Sequence, residues 1–563
     1  MPVNPAATFC ATLVDEWVVA GVSAAMVAPG SRSTPMALAL ANHPGIQLEI
    51  FHDERSASFA ALGHGLATGR PAVVLCSSGT AGTHFHAAVV EADLSSVPMI
   101  VLTADRPPEL LDVGAAQTID QTHLFGRSVR WFHAPGVPGD DTARTWRSLA
   151  RRTYRSSVDT RPGPVHLNLA FREPLVGDPG PLPPGEPQAL VTSSPSFAPG
   201  ALDALVPLLD RQRGVIVVGR TAGGAESDAD AVEALSSATG WPVLADPRSG
   251  CRHLHAAVRT ADSLLRHDGF ARDHAPEVVL HIGEPWASRV VNEWLTASGA
   301  FHVHLSAIPK PVDPGHVMSQ WVTAPVGPVC HWLADRLRGA SGTTWAARWR
   351  RNEMLAREAI DASILGMGVL TEPAVAQTVC RSIVENGGPL NLVLSSSMPI
   401  RDVEWYAPID RLARVYANRG ANGIDGVLAS AIGVALAAGP TVLLIGDVAF
   451  LHDASSLTAL RNRKIDLRVV VVDNDGGGIF SFLSQAAVVG AERFEQLFGT
   501  PHGTDLLALC SAHGIAASTV HDIDGLLSAL GRPGTSVTIV RSERASNVAA
   551  HQRINRAVHD ALD

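Results

Sequence analysis

The sequence predicts an α/β protein built from three doubly wound parallel-sheet domains. Short apolar runs end repeatedly in polar or glycine-containing turns and are followed by helical patterns, which is the βα succession of a parallel sheet with helices on both faces. The chain has 563 residues, and single hydrophobic cores rarely exceed roughly 250 to 300 residues. A stretch rich in Pro, Gly and Ser between Pro174 and Pro199 indicates a linker. We therefore expect domains at residues 1–180, 198–340 and 366–563.

The first domain is predicted from a series of apolar runs, each short enough for a buried strand. After the first run, the turn Pro29–Arg32 leads to Ser33, Thr34 and Pro35, a hydroxyl residue and a first-turn proline that are typical of a helix start. The predicted strands of this domain are Ala25–Ala28, Gln47–His52, Ala72–Cys76, Met99–Thr103 and Pro164–Leu169.

The second domain begins near Ala201, where the strand Val215–Val218 leads into a glycine turn at 219–224. The turn has only part of the spacing of a dinucleotide-binding fingerprint, so an ordinary strand-to-helix connection is the favoured interpretation. A charged helical linker, Thr344–Arg357, precedes the third domain. The strands predicted there are Asn391–Leu394, Arg414–Ala417, Thr441–Ile445 and Arg468–Val472, all parallel because each pair is joined by a crossover.

Composition favours a well-packed enzyme over a nucleic-acid-binding or disordered protein. Hydrophobic residues make up 46% of the chain, charged residues only 17%, and the formal net charge is −10. That charge argues against a polyanionic partner such as nucleic acid. Small anionic substrates stay compatible with it, because the potential in a pocket is set by the arginines around that pocket.

The distribution of cysteines and apolar segments favours a cytoplasmic location. The six cysteines are scattered and form no CxxC pair, which is typical of reduced core residues. Asp15 and Glu16 interrupt the apolar N-terminal stretch, so no signal peptide is expected. The uncharged stretch Gly426–Gly446 is divided by Gly439 and Pro440, so we interpret it as buried core and expect no membrane span.

An acid and an amide follow two neighbouring predicted strands of the third domain. Asp447 comes directly after the strand that ends in Gly446, and Asn474 lies 27 residues later, after the next strand. Because parallel strands present their carboxyl ends at one edge of the sheet, we expect both side chains there. Carboxylate, amide and backbone oxygens, the last from Gly476, suit Mg²⁺ or Mn²⁺. Asp473 and Asp475 flank Asn474, and spacing together with a match to a known motif favours Asn474 over both. The glycines would let backbone N–H groups approach phosphates.

Several other polar side chains follow the ends of predicted strands, where ligands bind in parallel sheets. Glu54 could also be an acid in a first helical turn, stabilised by the helix dipole, and any single arginine could be a surface ion-pair partner. Arg401 lies one helical turn after Ser397 and can share its site. The strand-end residues are Ser31, Arg32, Asp53, Glu54, Ser78, Gly79, Thr80, Asp105, Arg106, Ser397, Asn418 and Arg419.

The spacing of Gly446-Asp447 and Asn474 resembles the bipartite diphosphate and metal motif of thiamine diphosphate enzymes. The resemblance implies that Glu54 hydrogen-bonds the aminopyrimidine ring of the cofactor and that Ile424 supports its bent shape. It also implies a site between an N-terminal and a C-terminal domain, usually from two subunits, and hence a homodimer or a tetramer of dimers. The implied cofactor-binding residues are Glu54, Ser78, Gly79, Thr80, Ile424, Gly446, Asp447, Val448, Ala449, Asn474, Gly476, Gly477, Gly478, Ile479 and Phe480.

Longer segments resemble one family within that class, the 2-succinyl-5-enolpyruvyl-6-hydroxy-3-cyclohexene-1-carboxylate synthases of menaquinone biosynthesis. The resemblance covers both terminal domains and is weak in the central one. It implies decarboxylation of 2-oxoglutarate and addition of the succinyl carbanion equivalent to isochorismate. The segments that carry it are Pro29–Pro35, Ala104–Leu110, Gly163–Asn168, Phe171–Leu175, Ser397–Asp402 and Asn418–Gly426.

The resemblance also assigns the residues that contact substrate. The two substrates carry four carboxylates between them, and guanidinium groups pair with planar carboxylates in bidentate fashion. The family often has a lysine or a Lys-Arg pair in its central domain, and Arg289 is the basic residue in that segment here. The implied substrate-binding residues are Ser31, Arg32, Arg106, Gln117, Arg289, Ser397, Arg401 and Arg419, and all of these except Ser31 and Arg289 are also implied, with Glu54, in catalysis.

Two other functions remain open from the sequence. One is a thiamine diphosphate-dependent decarboxylase or carboligase that acts on smaller 2-keto acids, whose site would be more apolar and would not need four arginines. The other is a non-catalytic protein of the same fold that binds a nucleotide at the Gly219 turn.

Overall fold

The computed structural model describes residues 3–185, 196–221, 225–337, 344–385, 391–408, 414–461 and 463–563. These residues contain three six-stranded sheets, formed by the first, second and third set of six strands along the chain. With the strands numbered in chain order, the spatial orders are 2-1-3-4-6-5, 12-11-10-7-8-9 and 14-13-15-16-18-17. Strand pairs in each sheet are parallel, for example the first with the third, the seventh with the tenth and the fifteenth with the sixteenth. The predicted fold class, three doubly wound parallel-sheet domains, is confirmed.

The N-terminal sheet is formed by apolar runs that are buried on both faces, apart from its two edge strands β2 and β5. Its strands are β1 (Ala24–Val27), β2 (Gln47–Ile50), β3 (Ala72–Cys76), β4 (Met99–Asp105), β5 (Trp131–His133) and β6 (Pro164–Ala170). The helices that accompany them are α1 (Pro5–Ala20), α2 (Thr34–Asn42), α3 (Glu54–Thr68), α4 (His86–Leu94) and α5 (Trp146–Val158).

The middle sheet has its topological switch between β7 and β10, which lie side by side. Its strands are β7 (Gly214–Val218), β8 (Val243–Ala245), β9 (Ala257–Val258), β10 (Val278–Ile282), β11 (Phe301–Ser306) and β12 (Met318–Thr323). Its helices, with the connection to the third sheet, are α6 (Val206–Leu209), α7 (Ala225–Thr239), α8 (Ala261–Leu265), α9 (Asp268–Asp273), α10 (Arg289–Ala297), α11 (Val326–Arg336) and α12 (Thr344–Leu365).

The C-terminal sheet contains the two strands that carry the predicted cation site. Its strands are β13 (Asn391–Leu394), β14 (Arg414–Tyr416), β15 (Thr441–Gly446), β16 (Leu467–Asp473), β17 (Ala517–Val520) and β18 (Ser536–Arg541). Its helices are α13 (Glu372–Glu385), α14 (Met398–Tyr406), α15 (Val427–Ala438), α16 (Asp447–His452), α17 (Ser456–Arg461), α18 (Gln485–Val488), α19 (Ala491–Phe494), α20 (Leu506–Ala512), α21 (Ile523–Leu530) and α22 (Arg544–Leu562).

The turn after β7 belongs to the packing of the middle domain. A Cβ added to Gly219 would lie 1.7 Å from the carbonyl oxygen of Glu284, so the glycine permits a close approach of two backbones. This contact supports the interpretation of an ordinary strand-to-helix connection. Residues 222–224 of the same turn lie outside the described residues.

Helix α3 of the N-terminal domain packs closely against helix α15 of the C-terminal domain, with one glycine of each helix at the contact. A Cβ on Gly63 would lie 2.0 Å from the backbone oxygen of Ser430, and a Cβ on Gly433 would lie 2.0 Å from that of Ala60. Side chains of both helices belong to one buried apolar cluster. Because α3 starts at Glu54 and α15 starts just after Ile424, this contact fixes two predicted cofactor residues relative to each other.

No helix in the described parts of the chain combines the length and the apolar character that a membrane crossing requires.

Candidate active site

Asp447 and Asn474 lie together at the carboxyl edge of the C-terminal sheet. Strands β15 and β16 are neighbours, with Gly446 opposite Val472, so the residues after them leave the sheet at the same level. The Oδ2 atom of Asp447 accepts hydrogen bonds from the backbone N–H groups of Asn474, at 3.1 Å, and Gly476, at 2.9 Å. Burial raises the pKa of Asp447, while the N–H donors of Gly476 and Val448 oppose that shift.

The side-chain oxygen of Asn474 is a buried acceptor without a partner in the described residues. Its amide nitrogen donates to Oε1 of Glu372 at 3.0 Å. An unsatisfied buried acceptor costs roughly 1–3 kcal/mol, and a cation bound at the oxygen would remove that cost. A carboxylate, an amide oxygen and backbone carbonyls form a donor set that fits a hard divalent cation.

The two other acids near Asn474 have different surroundings. Asp475 is exposed, adopts a φ of 55° and accepts hydrogen bonds from the N–H groups of His502 and Gly503. Those donors, Gly503 first, lower its pKa, and they make Asp475 an anchor of the 502–503 turn. Asp473 is buried at the end of β16, and one carboxylate oxygen of Asp473, one of Asp447 and a ring nitrogen of His502 all lie within 4.8 Å of one another.

His502 is a neighbour of the cation site that the sequence did not suggest. Its Nδ1 accepts from the N–H of Thr504 at 3.0 Å, so the proton lies on Nε2, which donates to Oδ2 of Asp447 at 3.3 Å. The residue lies in an irregular loop that has no spacing relation to β15 or β16, so no sequence pattern connected it to Asp447.

The glycines after Asn474 serve close packing. A Cβ on Gly476 would lie 1.9 Å from the carbonyl oxygen of Gly499, and one on Gly477 would lie 2.2 Å from that of Phe498. The N–H groups of Gly476, Gly477 and Gly478 already donate to Asp447, Gly499 and Gly476, respectively. The expectation that these N–H groups bind phosphate is therefore not supported.

Open space adjoins the start of α16. A Cβ added to Gly446 would meet no atom within 4 Å, and Val448 and Ala449 follow in the first turn of the helix. The neighbouring residues Ile479 and Phe480 lie in a short 3₁₀ helix, Gly478–Phe482, and both are partly buried. Val448 and Ala449 therefore follow Asp447 at this edge, and Ile479 and Phe480 come five and six residues after Asn474 in the chain.

Glu54 is the first residue of α3 and has a half-buried side chain. Asp53 caps the helix by accepting from the N–H groups of Arg55, at 2.8 Å, and Ser56, at 3.2 Å. Within the described residues, the Glu54 carboxylate has neither a hydrogen bond nor an ion pair. It is therefore free to accept a ligand, although the helix dipole also favours an acid at this position.

The N-terminal domain brings Gln117 to the turn after β3. Gln117 Nε2 donates to the backbone oxygen of Ser78 at 3.1 Å, and Ser78 Oγ donates to that of Gln117 at 3.0 Å. Gln121, which the sequence did not suggest, is buried and accepts the N–H of Gly79 at 3.0 Å. Thr80, the last residue of the predicted group, is exposed.

The two arginines of this domain differ in how far their guanidinium groups are already paired. Arg32 is buried, donates to the backbone oxygen of Phe171 at 2.9 Å and lies 3.3 Å from the carboxylate of Glu173. Arg106 is partly buried, and its guanidinium group makes no hydrogen bond or ion pair within the described residues, whereas the Nε atoms of both arginines are buried without a partner there. Ser31, beside Arg32, is exposed. Arg106 is therefore the more available of the two for a ligand.

Arg401 and Arg419 approach each other in the C-terminal domain. Arg401 donates to the backbone oxygen of Ser397 at 2.5 Å, and Ser397 has a φ of 75°, which is rare for a residue with a side chain. Burial lowers the pKa of Arg419, and the positive charges of Arg248 and Arg401 act in the same direction. Three guanidinium groups thus share one partly buried region, which an anionic ligand would stabilise.

Arg248 joins this region from the middle domain, together with a cleft of about 470 Å³ that Arg419 also borders. Its guanidinium is buried and paired with Asp246, at 3.1 Å, and Glu284, at 2.7 Å. Arg289, in contrast, lies at the start of α10 with 82% of its side chain exposed and pairs with Glu293. The structure brings none of the other candidate residues to Arg289.

Glu91 of α4 supports the turn that follows Arg419. Its two carboxylate oxygens accept the N–H groups of Gly420 and Ala421, each at 2.7 Å, and Ser95 Oγ also donates to it at 2.6 Å. The side chain is buried, with 3% exposure. An acid of the N-terminal domain therefore positions a loop of the C-terminal domain.

Comparison with known proteins identifies the class of enzyme to which the chain belongs. The chain matches three family models in order: the N-terminal TPP binding domain of thiamine pyrophosphate enzymes over residues 8–124, their middle domain over 202–389, and their C-terminal TPP binding domain over 402–535. The protein is thus a thiamine pyrophosphate (thiamine diphosphate) enzyme, as the motif spacing predicted.

Full-length relatives define the family more narrowly. The chain is 41% identical to the 2-succinyl-5-enolpyruvyl-6-hydroxy-3-cyclohexene-1-carboxylate synthase of Myxococcus xanthus (strain DK1622), over 96% of this chain and 95% of that protein. It is 39% identical to the synthase of the same name from Thermobifida fusca (strain YX), over 99% of each. For the synthase of Geobacillus kaustophilus (strain HTA426), the identity is 37% over 97% and 96% of the two chains. The chain belongs to this synthase family.

Proposed function

We propose that the protein decarboxylates 2-oxoglutarate and joins the remaining succinyl unit to isochorismate. The product is 2-succinyl-5-enolpyruvyl-6-hydroxy-3-cyclohexene-1-carboxylate, an intermediate of menaquinone biosynthesis. Thiamine diphosphate, when bound, supplies the electron sink that decarboxylation of a 2-keto acid requires. The observation that carries the proposal is the buried, unpartnered oxygen of Asn474 beside the carboxylate of Asp447.

The cation site consists of Asp447, Asn474 and the backbone oxygen of Gly476, and it would hold Mg²⁺ or Mn²⁺. This assignment is supported by the surroundings of Asp475, which is exposed and occupied by turn N–H groups, and by the orientation of Asn474. A divalent cation there would neutralise the diphosphate of the cofactor, as oxygen-ligated Mg²⁺ commonly does.

Glu54 holds a proton shared with the aminopyrimidine ring in this proposal. Its carboxylate is half-buried and has no partner within the described chain, so it can hydrogen-bond a ring nitrogen. The ring would lie between Glu54 of one subunit and the cation edge of another, and a homodimer or tetramer of dimers is part of the proposal.

Arginines from two domains bind the substrate carboxylates. Arg106 comes from the N-terminal domain, and Arg401 and Arg419 come from the C-terminal domain, where burial lowers the pKa of both. Each would gain stabilisation from a carboxylate partner, because a partly buried cation lacks the water that would otherwise solvate it. Arg32, Gln117 and Ser397 complete the group, whereas Arg289 has no support beyond the resemblance.

The proposal predicts a specific set of reaction requirements. The purified protein should form product only with 2-oxoglutarate, isochorismate, thiamine diphosphate and a divalent cation together. Glu54→Gln should lower kcat by at least about 100-fold, because general acid–base groups contribute roughly 10²- to 10⁴-fold. Glu358→Gln, which changes an exposed acid on α12, is the matched control and should retain full activity.

Two results would favour another function. Equal turnover of pyruvate without isochorismate would identify a decarboxylase or carboligase for smaller 2-keto acids, and the arginines would then need another explanation. A protein that binds no thiamine diphosphate in a calorimetric titration would contradict the catalytic proposal altogether.

Light scattering tests the assembly, since full activity of a stable monomer would exclude a site shared between subunits. A cytoplasmic location is also part of the proposal.

A further inference from the structure

We propose that Glu372 is a positioning residue that orients the side-chain amide of Asn474, so that the amide oxygen faces the cation. The inference rests on the proposed cation site and adds a residue to it. Glu372 itself would not touch the cation or the substrates. Its function would be to exclude the inverted amide, in which the NH₂ group points into the site.

The hydrogen bonds of Glu372 connect the start of α13 with the turns that follow β16 and β18. Glu372 is the first residue of α13 and is buried, with 4% exposure. Its Oε1 accepts from Nδ2 of Asn474, at 3.0 Å, and from Oγ of Ser542, at 2.9 Å. Ser542 follows β18, and its backbone N–H donates to the carbonyl oxygen of Asp473 at 2.8 Å. The acid is thus held in place from two strands.

Hydrogen-bond chemistry explains why this acid fixes the amide. An ionised carboxylate can only accept hydrogen bonds, so it binds the NH₂ side of an asparagine and repels the oxygen side. With Nδ2 bound, Oδ1 must point away, and that is the atom found buried without a partner. Both donors use the same oxygen, so a neutral acid whose carbonyl oxygen is Oε1 would keep the same arrangement. Burial raises the pKa of Glu372 to about 7, and the observed arrangement, with both donors on Oε1, is one that the ionised form and this neutral form share.

A purely structural role would leave a different signature. In that case Glu372 would only connect α13 to β18, and loss of either of its partners would weaken the fold without regard to the cation. The two roles separate if cation binding is measured in variants that change the amide and the acid independently.

The experiment measures binding of Mn²⁺ by electron paramagnetic resonance, in the presence of thiamine diphosphate and without substrates. Glu372→Ala should bind Mn²⁺ about 10- to 100-fold more weakly than the unmodified protein, the usual effect of losing a residue that orients a metal ligand. Glu372→Gln keeps an oxygen for both donors and should stay within about threefold of the unmodified protein. Ser542→Ala, which leaves the bond to Asn474 intact, should also stay within that range.

The decisive comparison uses Asn474→Asp, because a carboxylate presents an oxygen to the cation in either orientation. In that background, Glu372→Ala should cause no further loss of Mn²⁺ affinity. An equal loss with asparagine and with aspartate at position 474 would overturn the positioning role, and so would unchanged affinity in Glu372→Ala alone. If the unmodified protein binds no Mn²⁺ with thiamine diphosphate, the cation site itself is wrong, and the proposal for Glu372 fails with it.

Discussion

Replacing Glu91 with glutamine should disturb the substrate binding that we propose for Arg419, although Glu91 itself lies outside the proposed pocket. In the native structure, the carboxylate receives three donors: the N–H groups of Gly420 and Ala421 and the hydroxyl of Ser95. A glutamine has one acceptor oxygen, so its NH₂ group must face at least one of those N–H groups. The turn after Arg419 then loses a charged hydrogen bond and keeps a buried, unsatisfied donor.

The expected size of the effect follows from that count. A hydrogen bond to a charged group contributes about 1.5–3 kcal/mol. At about 1.36 kcal/mol per factor of ten, this corresponds to a decrease of roughly 10- to 150-fold if all of it is lost from transition-state binding. We expect kcat/KM to fall by about that factor and the free energy of unfolding to fall by no more than about 3 kcal/mol.

Steady-state kinetics with both substrates, combined with urea unfolding, check this expectation. Ser95→Ala is the matched control, because it removes one donor and leaves both backbone N–H groups on Glu91; its kcat/KM should change less than about threefold. A Glu91→Gln protein with kcat/KM within twofold of the unmodified protein would refute the reasoning. Equal losses in the two variants would show that Ser95, and not the turn after Arg419, carries the effect.

Three further outcomes are expected. Gly433→Ala places a Cβ 2.0 Å from the carbonyl oxygen of Ala60, so urea titration should show a free energy of unfolding that is lower by about 1–3 kcal/mol or more. Gly446→Ala is the control and should leave the free energy of unfolding unchanged, because a Cβ there meets no atom within 4 Å. Burial lowers the pKa of His64 from 6.5 to about 4, so the folded state binds fewer protons than the unfolded state between those pH values. The free energy of unfolding should therefore fall by up to about 3 kcal/mol as the pH drops from 6.5 to about 4, and it should depend less on pH in His64→Gln when unfolding is measured at several pH values. With thiamine diphosphate present at a fixed saturating concentration, adding Mn²⁺ at about 100 times its Kd should raise the unfolding free energy by about 2.7 kcal/mol. Asp447→Asn should abolish most of that gain, seen as a smaller shift of Tm in a thermal unfolding assay.

Central strands were the easiest elements to predict. The runs Ala72–Cys76 and Asn391–Leu394 occur as strands at the predicted bounds, because each is fully buried and ends at a polar turn. The edge strands β2 and β14 were also predicted, but the edge strands β5 and β9 gave no comparable signal. Trp131–His133 is only partly buried, and Ala257–Val258 has two residues, so neither forms an apolar run that stands out from a loop.

The cation edge could be predicted for a topological reason. Asp447 and Asn474 follow adjacent parallel strands joined by one crossover, so local sequence patterns are enough to bring them together. Arg248 was missed because it follows Val243–Ala245, a strand of three residues that no pattern indicated. Local sequence patterns locate residues that follow recognisable strands. They do not indicate side chains, such as Arg248, that reach the site from another domain.

Glu91 and Glu372 show what sequence patterns could not supply. Glu91 contacts a residue 329 positions away and Glu372 one 102 positions away, so each contact depends on how separately folded elements dock. Both acids are buried and bind amide or backbone N–H donors of residues next to, or within, the proposed site. Since a carboxylate accepts hydrogen bonds and cannot donate them when ionised, it tolerates only one orientation of its partner. We therefore expect substitutions of Glu91 and Glu372 to act mainly by changing the orientation of the turn after Arg419 and of the Asn474 amide. Raising the concentration of substrate or cation should then saturate the variant enzymes, but kcat should recover only in variants that keep the native orientation.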